Sequence, residues 1–440
     1  MIVMKFGGTS VGNADRIRNI SDIIKNNTGK NPVVVVSAVA GVTDMLISLA
    51  EGVSQGRESS ALERIKMIHL DIIKKLDLDK SLLESVFRDL ERLCDETRSA
   101  KAANPKILDN FQSFGEQMSS RIVSAQLSRI GIKSQAFSSW ELGLLTTDDF
   151  GNAEPLESCR EALKNSIGKL DVVPVVTGFI GKTEGGEITT LGRGGSDYSA
   201  AVIGAAIDAE EIQIWTDVNG MMSTDPKIVP NARTIANVSF AEASELAYFG
   251  AKVLHPKTIL PAMRKNIPVR VLNSFNPENA GTLILNEPKR SEQTIKAISC
   301  RNNTSLIHIE STRMLGAYGF LARIFYLFDK YGKSVDVVST SEVSVSLTVD
   351  NGEGTEKILR ELKEFAYVSI SKNKSIICVV GDGMKDVLGM PGRIFTALSN
   401  GNVHVEMISM GASEINITFI VDARDTEKAV KILHKEYFRD

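Results

Sequence analysis

The sequence is poor in the features that mark several common classes of protein. Its four cysteines are far apart, form no C-x-x-C pair and give no disulfide framework, which indicates a reducing compartment. No apolar run approaches the roughly 18 residues that a membrane-spanning helix needs, and the run before Lys5 is too short for a signal peptide. The net charge of −3 argues against general binding to nucleic acids or membrane surfaces. We therefore expect a cytoplasmic protein that binds neither.

The size and the apolar pattern predict a multidomain α/β protein. The chain has 440 residues, 43% of them apolar, which favours two or three globular domains. Continuous apolar strands alternate with helical patterns, which predicts a mainly parallel sheet covered on both faces. The strands are expected at 2–6, 32–37, 171–178, 211–215 and 267–272. A helical hairpin is expected at 56–104, and a third helix at 106–130, interrupted at Gly115 and Glu116.

A glycine-rich loop with one arginine, T-L-G-R-G-G-S-D-Y-S-A-A at 190–201, is the strongest local signal. Glycine lets backbone N–H groups approach a ligand closely, and the Arg193 guanidinium suits a carboxylate or a phosphate. Ser196 and Asp197 can cap the helix that follows, whose N-terminus attracts anions. The loop therefore predicts a site for a small anion; the alternative is an ordinary loop before a capped helix.

Small and polar residues follow several of the predicted strands. They are Lys5 to Ser10, Ser37 to Thr43, Phe179, and Thr216 with Asp217. Ligands of parallel sheets bind beyond the carboxyl ends of the strands, so these pieces are expected to meet the Arg193 loop. The glycines after Lys5 lack the spacing of a P-loop.

The C-terminal third contains an internal repeat. Residues 335–350 recur, with a small insertion, as 405–422, and Arg323-Ile324-Phe325 recurs as Arg393-Ile394-Phe395. The second copy runs out of chain before its last strand, for which 295–300 is the best candidate. We therefore expect a polar linker at 286–294 and a first repeat domain at 304–374. This domain is inserted in a second one, formed by 295–303 and 375–440.

Five motifs together resemble the aspartate kinase family. They are K-F-G-G-T-S-V from Lys5, F-G-E from Phe114, T-L-G-R-G-G-S-D from Thr190, W-T-D-V from Trp215 and F-G-A-K-V-L-H-P from Phe249. The repeats resemble tandem ACT regulatory domains. The resemblance implies an amino-acid-kinase sandwich with a mainly parallel central sheet at 1–285, followed by two ferredoxin-like βαββαβ ACT domains.

The implied reaction transfers the γ-phosphoryl group of ATP to the β-carboxylate of L-aspartate, giving 4-phospho-L-aspartate. This is the first step of lysine, threonine and methionine biosynthesis. The carboxylate has a pKa of about 4, so it needs no general base. The chemistry calls instead for lysines, backbone N–H groups and Mg²⁺ around the phosphates. The lack of a Ser-His-Asp set or a His/Cys metal cluster is consistent with this reaction.

The resemblance also implies a role for each site residue. Lys5 lies between the phosphates and the attacking carboxylate, and Asp197 orients Lys5 or supports the metal. Arg193 takes the α-carboxylate of aspartate, and Glu116 takes its ammonium group. Ser37, Thr43, Phe179 and Ser196 line the same pocket. The nucleotide side comprises Gly7, Gly8, Thr9, Ser10, Thr216, Asp217, Met222, Lys227 and Lys252. The chain departs from the family at Met222 and Lys227, where members often carry an aromatic residue and an arginine.

The paired ACT domains imply an amino-acid effector and a homodimer, or a tetramer, built through the regulatory region. The segments at 314–321 and 334–343 resemble lysine-sensitive bacterial enzymes, which favours lysine, with threonine, both or neither as alternatives. Asp336 is expected to meet the effector's side-chain ammonium; the alternative is a solvated strand residue. The other expected effector residues are Met314, Gly319, Phe320, Leu321, Ser334 and Val335.

Two other functions remain open on the sequence alone. One is a non-catalytic amino-acid sensor with a degenerate kinase region, although Lys5, Arg193, Asp197 and Lys252 are all present. The other is a related kinase acting on glutamate or N-acetylglutamate. A fused homoserine dehydrogenase would need several hundred more residues and a G-x-G-x-x-G turn, so we expect a monofunctional enzyme.

Overall fold

The chain forms two compact units. The computed structural model describes residues 1–57, 60–249, 254, 256–288, 294–314, 318–352, 354–411 and 415–438. The first unit comprises Met1–Met221, Ala236–Phe240 and Val253–Pro288. The second comprises Met222–Ile235, Ala241–Lys252 and Lys289–Asp440. The predicted linker at 286–294 lies partly, at 289–293, outside the described residues.

The first unit is built on a mainly parallel sheet of eight strands, in the order β3-β5-β2-β1-β8-β10-β11-β9. A small second sheet has the order β4-β6-β7. The strands are β1 (Ile2–Phe6), β2 (Pro32–Val36), β3 (Ser134–Phe137), β4 (Leu145–Thr146), β5 (Val173–Thr177), β6 (Ile180–Thr183), β7 (Ile188–Thr190), β8 (Glu211–Thr216), β9 (Asn237–Ser239), β10 (Val269–Asn273) and β11 (Thr282–Leu285). Only the β10–β11 pair of the large sheet is antiparallel.

Apolar β-branched residues explain the centre of this sheet. Every residue of β1 and of β2, which reads P-V-V-V-V, is buried. Such strands fit the middle of a sheet that is covered on both faces. The helices of this unit are α1 (Ala14–Asn26), α2 (Val42–Ser54), α3 (Ala61–Lys75), α4 (Glu84–Ala100), α5 (Pro105–Arg129), α6 (Cys159–Ile167), α7 (Gly195–Ala206) and α9 (Pro256–Arg264). Helix α8 (Phe240–Tyr248) begins with Phe240 of this unit, and its other residues belong to the second unit.

Helix α5 is continuous, so the predicted interruption at Gly115 and Glu116 is wrong. Both residues belong to its buried face. A Cβ on Gly115 would lie 2.6 Å from the Ala38 Cβ, so the glycine lets α5 approach the end of β2. Close packing therefore offsets the cost, about 1 kcal/mol, of glycine within a helix.

The second unit contains one antiparallel sheet of six strands, in the order β13-β14-β12-β15-β17-β16. The strands are β12 (Ala297–Glu310), β13 (Val338–Thr340), β14 (Ser344–Asp350), β15 (Tyr367–Val380), β16 (Met407–Ser409) and β17 (Asn416–Asp422). The helices of this unit, besides most of α8, are α10 (Phe320–Lys330), α11 (Thr355–Leu362), α12 (Met390–Asn400) and α13 (Thr426–Tyr437).

The two long strands β12 and β15 pass through both halves of this sheet. Residues 297–301 pair with 376–380, and 304–310 pair with 367–374, with a register shift between them. Asn303 and Asn373, beside the shift, have left-handed backbone angles. Each half has its own core, one around Ile307 and Ile324, the other around Ile377 and Phe419. The halves are thus two βαββαβ layers that share their longest strands.

Two segments from the middle of the sequence pack into the second unit. Val229 joins the core around Phe419, and the Ser223 hydroxyl lies 3.0 Å from His434 Nε2. In helix α8, the Glu242 carboxylate forms a buried ion pair with Lys296 at 2.7 Å. Among the described helices, none is long and apolar enough to cross a membrane.

Candidate active site in the first unit

A cavity of about 580 Å³ lies in the first unit, where strands β1, β2 and β5 end. Its walls contain every residue predicted to act in catalysis or to bind aspartate: Lys5, Ser37, Thr43, Glu116, Phe179, Arg193, Ser196 and Asp197. Of the predicted nucleotide residues, Lys5 and Gly8 are in its lining. The fold therefore gathers residues from five separate stretches of sequence around one space.

Lys5 and Asp197 form an ion pair at the wall of this cavity. Lys5 belongs to β1, and its Nζ lies 2.6 Å from Oδ1 of Asp197, in the first turn of α7. The two side chains are only 11% and 13% exposed, so solvent screens the pair weakly. The contact fixes the Lys5 ammonium group at the point where a strand and a helix N-terminus meet.

The glycine-arginine loop connects β7 to α7. Gly192 and Gly194 both have φ of 72°, a left-handed conformation that favours glycine. Gly194 is the N-cap residue, and Ser196 and Asp197 belong to the first turn. The expectation that these two residues cap the helix is therefore wrong, since the helix begins before them and leaves their side chains at the cavity.

Arg193 is exposed at the edge of the cavity. Within the part of the chain that the structure describes, no carboxylate lies within 4.0 Å of its guanidinium group. An unpaired guanidinium is a strong and directional binder of carboxylates and phosphates. Arg193 is therefore available to an anionic ligand.

Glu116 is a buried acid with one oxygen uncommitted. Its Oε1 accepts a hydrogen bond from the Ala38 N–H at 2.9 Å. Its Oε2 is buried and has no hydrogen-bond partner among the described residues. Burial raises the pKa of Glu116 to about 8, and the Ala38 N–H and the charge of Lys5 oppose that rise. A cationic group brought by a ligand would supply the missing partner.

Asp109 supports the site and was missed by the sequence analysis. Its Oδ2 accepts from the N–H groups of Gly151 and Thr190, both at 2.9 Å, and its Oδ1 accepts from the Thr190 hydroxyl at 2.8 Å. Gly151 and Thr190 line the cavity, so Asp109 holds two of its walls to α5. The available signal was its spacing: Asp109 and Glu116 are seven residues apart, which puts both acids on one helix face.

Phe179 has a strained backbone beside the cavity. Its φ of 66° lies in the left-handed region, which costs a bulky residue on the order of 1–3 kcal/mol. Two hydrogen bonds hold it there: its N–H donates to Ser199 Oγ at 3.0 Å, and its carbonyl accepts from the Leu191 N–H at 2.8 Å. The Phe179 ring also explains Gly195, where a Cβ would lie 2.6 Å from the ring.

The other predicted nucleotide residues that the structure describes are not in the lining of the cavity. Gly7 donates its N–H to the Trp215 carbonyl, and the buried Ser10 hydroxyl lies 2.8 Å from Ser274 Oγ. Thr9, Thr216 and Asp217 lie outside the lining of the cavity, and Thr216 donates to Asp217. Met222 and Lys227 belong to the second unit. Lys252 lies outside the described residues, as does His255.

The predicted effector residues all belong to the second unit. Gly319 is the N-cap of α10, which starts with Phe320 and Leu321, and Met314 ends a short 3-10 helix. Ser334, Val335 and Asp336 lie between α10 and β13. The Asp336 side chain is only 2% exposed and is outside the strands, so the alternative of a solvated strand residue is wrong.

Comparison with known proteins gives a consistent assignment. The profile described as "Amino acid kinase family" matches residues 1–273, and the one described as "ACT domain" matches residues 377–437. The chain is 40% identical to "Aspartokinase 1, chloroplastic" of Arabidopsis thaliana, over 99% of this chain and 80% of that protein. It is 37% identical to "Lysine-sensitive aspartokinase 3" of Escherichia coli, over 100% and 99%.

Solved structures agree. The crystal structure of E. coli aspartokinase III with aspartate and ADP (R-state) matches with a TM-score of 0.84 and 35% identity, covering 100% of both chains. The structure with lysine and aspartate (T-state) matches with a TM-score of 0.83, also at 35% identity and 100% coverage. The predicted family and fold class are confirmed, and the sensor and glutamate-kinase alternatives find no support. The chain therefore belongs to the amino acid kinase family and, within it, to the ATP-dependent aspartate kinases, which phosphorylate the β-carboxylate of L-aspartate.

Proposed function

We propose that phosphoryl transfer takes place in the first-unit cavity, with Lys5, Arg193 and Glu116 as the residues that place the aspartate. The observation that carries this proposal is the lining itself, in which all eight predicted catalytic and aspartate-binding residues meet. Among the described residues, the same cavity contains a cation with no carboxylate partner, Arg193, and a fully buried acid with one unbonded oxygen, Glu116.

These two charges match the backbone end of an amino acid. Arg193 binds the α-carboxylate, and Oε2 of Glu116 accepts from the α-ammonium group. Glu116 gives up its proton on binding, because the ammonium charge compensates the carboxylate in its buried position. The β-carboxylate is then left pointing at Lys5. Ser37, Thr43, Phe179 and Ser196 complete the wall around the substrate.

Lys5 brings two anions together. Its ammonium group, oriented by Asp197, lies between the β-carboxylate and the γ-phosphoryl group and stabilises the charge that develops during transfer. The nucleophile is already ionised, so none of these residues has to act as a general base. Positioning and charge neutralisation therefore supply the catalysis.

The nucleotide is ATP with Mg²⁺, and its phosphates approach Gly8 and the N-terminus of α7. Gly8 is needed there, since a Cβ would lie 2.8 Å from the Ala38 carbonyl. Mg²⁺ is usually held by substrate phosphates, water and one or two carboxylates, and Asp197 and Asp44 are the wall carboxylates of suitable chemistry. When bound, the metal neutralises phosphate charge. Gly7, Thr9, Ser10, Thr216, Asp217, Met222, Lys227 and Lys252 remain proposed nucleotide contacts.

Regulation belongs to the second unit. We infer a kinase domain at 1–285, a linker at 286–294, and an ACT domain at 304–374 inserted in another formed by 295–303 and 375–440. Lysine is the proposed effector, because the E. coli relative is described as lysine-sensitive and was crystallised with lysine. It binds through Asp336 and Ser334, with Met314, Gly319, Phe320, Leu321 and Val335 around it. The active form is a cytoplasmic homodimer, or a tetramer.

An ADP-release assay tests the active-site proposal. We expect turnover with aspartate and little with glutamate, whose longer side chain would push its carboxylate past Lys5. Arg193→Ala should raise the KM for aspartate and leave that for ATP much less changed. Arg129→Ala is the matched control, because Arg129 is an exposed arginine of the same unit that pairs with Asp77. If Arg193→Ala lost affinity for ATP instead, Arg193 would belong to the ATP subsite and not to the aspartate subsite.

A further inference from the structure

The Asp336 carboxylate is already bound within the protein. Its Oδ1 accepts from Arg301 Nη1 and from the Tyr248 hydroxyl, both at 2.9 Å. Its Oδ2 is buried and has no hydrogen-bond partner among the described residues. Because the side chain is almost fully buried, this oxygen has the same shortage of donors as Glu116 Oε2.

The charged groups around Asp336 have a net negative charge, which one bound cation would balance. Arg301 also forms an ion pair with Asp350, so three charged groups sum to one negative charge. Burial raises the pKa of Asp336, and Arg301 opposes that rise. A ligand ammonium group would balance the cluster and supply the donor that Oδ2 lacks, whereas a neutral side chain such as that of threonine could donate but would leave the charge unbalanced.

Tyr248 links this cluster to helix α8. It is the last residue of α8, and the Ser334 side chain also hydrogen-bonds to its phenol. The rest of the helix is held by the Glu242–Lys296 ion pair, the Asp382 N–H bonded to Glu242, and a Glu245–Asn416 hydrogen bond. Two of the predicted effector residues, Ser334 and Asp336, therefore contact the end of one helix.

We propose that the hydrogen bond from Tyr248 to Asp336 holds the end of α8 in place, and that a cationic effector must break this bond to bind. We call this hydrogen bond the latch. The inference rests on the proposed function of Asp336 as the effector's ammonium partner. The ammonium group binds at Oδ2 and draws the carboxylate away from the Tyr248 hydroxyl at Oδ1, since an ammonium donor adds a charge attraction that the neutral phenol lacks. Arg301 stays in place, because Asp350 also holds it. The carboxyl end of α8 is released, and Lys252, a proposed phosphate contact, follows four residues later in the sequence.

Tyr248→Phe tests the latch, because it removes only the competing hydroxyl. The ring and its edge contact with Phe249, at 5.0 Å between centroids, can remain. We expect the lysine concentration for half-inhibition to fall roughly ten- to thirtyfold, the value of a hydrogen bond to a charged group. Without lysine, hydrogen–deuterium exchange of the backbone at 241–249 should be faster than in the wild type.

Tyr331→Phe is the matched control. The Tyr331 hydroxyl also donates to a carboxylate in the same unit, but to that of Glu361 and not to that of Asp336. This variant should keep wild-type inhibition and wild-type exchange at 241–249. Any general effect of removing a tyrosine hydroxyl would show in both variants.

The outcomes separate the latch from the effector assignment. A wild-type enzyme that neither binds lysine nor is inhibited by it would overturn the assignment of Asp336 and this inference with it. Inhibition of the wild type with no change in Tyr248→Phe, in either half-inhibition or exchange, would overturn the latch alone. Weaker inhibition of Tyr248→Phe would also overturn it, because Tyr248 would then hold the effector and not compete with it.

Discussion

Each unit of this protein contains a buried carboxylate with one satisfied oxygen and one unsatisfied oxygen. In the first unit it is Glu116, whose Oε1 is bound by a backbone N–H. In the second it is Asp336, whose Oδ1 is bound by Arg301 and Tyr248. The proposed ligands of the two sites, aspartate and lysine, both bring an ammonium group. On these assignments, each site binds its amino acid through a buried carboxylate oxygen that lacks a hydrogen-bond donor.

The difference between the two acids is the partner that each already has. Glu116 has no cation within ion-pair distance among the described residues, since Lys5 is taken by Asp197, and its pKa is raised to about 8. Asp336 has Arg301 beside it, and the Tyr248 hydroxyl donates to the same carboxylate oxygen as Arg301. On the proposed assignments, substrate binding requires loss of a proton from Glu116, whereas effector binding requires displacement of the Tyr248 hydroxyl. A feedback inhibitor that must displace a competing side chain binds with a higher apparent Kd than it would have without the competitor.

The largest effect is expected from Lys5→Ala. Removal of a strong donor to the transition state should lower kcat by about 100-fold or more, measured as aspartate-dependent ADP release. Lys133→Ala is the control, because Lys133 is exposed and pairs with Asp171 on the surface. Near-normal turnover in Lys5→Ala would remove Lys5 from the mechanism and leave the first-unit cavity without its proposed chemistry.

Glu116→Gln sharpens the comparison from the substrate side. The amide keeps the shape but cannot pair with an ammonium group, so the KM for aspartate should rise about 30-fold, as for loss of a charged hydrogen bond. The KM for ATP should change much less. Gln112→Ala, at another wall residue of α5, serves as the control for local packing. An unchanged KM for aspartate would mean that Glu116 only supports the Ala38 backbone.

Asp336→Asn is the corresponding change on the effector side. Lysine should need about 20-fold higher concentration for half-inhibition, because its ammonium group loses the carboxylate charge of Asp336. Glu361→Gln is the control, since it alters a hydrogen-bonded acid elsewhere in the second unit. Unchanged inhibition by lysine would place the effector elsewhere.

The pH dependence of kcat/KM for aspartate tests the raised pKa of Glu116. Below about pH 8 the free enzyme keeps a proton on Glu116, and only the carboxylate form can pair with the substrate ammonium. Thus kcat/KM for aspartate should fall about tenfold between pH 7 and pH 6, one factor of ten per unit below the pKa. Glu116→Gln should have a flat profile over that range. A flat profile in the wild type would contradict the raised pKa.

The periodicity of apolar residues and the internal repeat predicted much of the fold, because these patterns depend on residues that are close together in the sequence. The repeat showed that the last βαββαβ unit lacks a strand and pointed to 295–300, and the structure has β12 starting at Ala297 and pairing with Val380. Helix α5 was predicted as interrupted because glycine disfavours helices, but tertiary packing against Ala38 overrides that preference.

Contacts between distant residues could not be predicted from one sequence. Asp109 is 81 residues from Thr190, and Tyr248 is 88 residues from Asp336. Nothing in the local pattern around Tyr248 or Arg301 distinguishes them from solvated helix or strand residues, and for Asp109 the spacing from Glu116 indicates a shared helix face but not the contact with Thr190. The site residues within glycine-rich motifs were found because the backbone conformation itself needs those sequences, as Gly192 and Gly194 show.

Calorimetric titration of aspartate into the enzyme at pH 7, in buffers of different ionisation enthalpy, tests the central claim most directly. The account predicts release of about 0.9 proton for each aspartate bound to the wild type, since a group with a pKa near 8 is mostly protonated at that pH and must ionise on binding. It predicts none for Glu116→Gln. Aspartate binding to the wild type without proton release would contradict the claim that Glu116 receives the substrate's ammonium group.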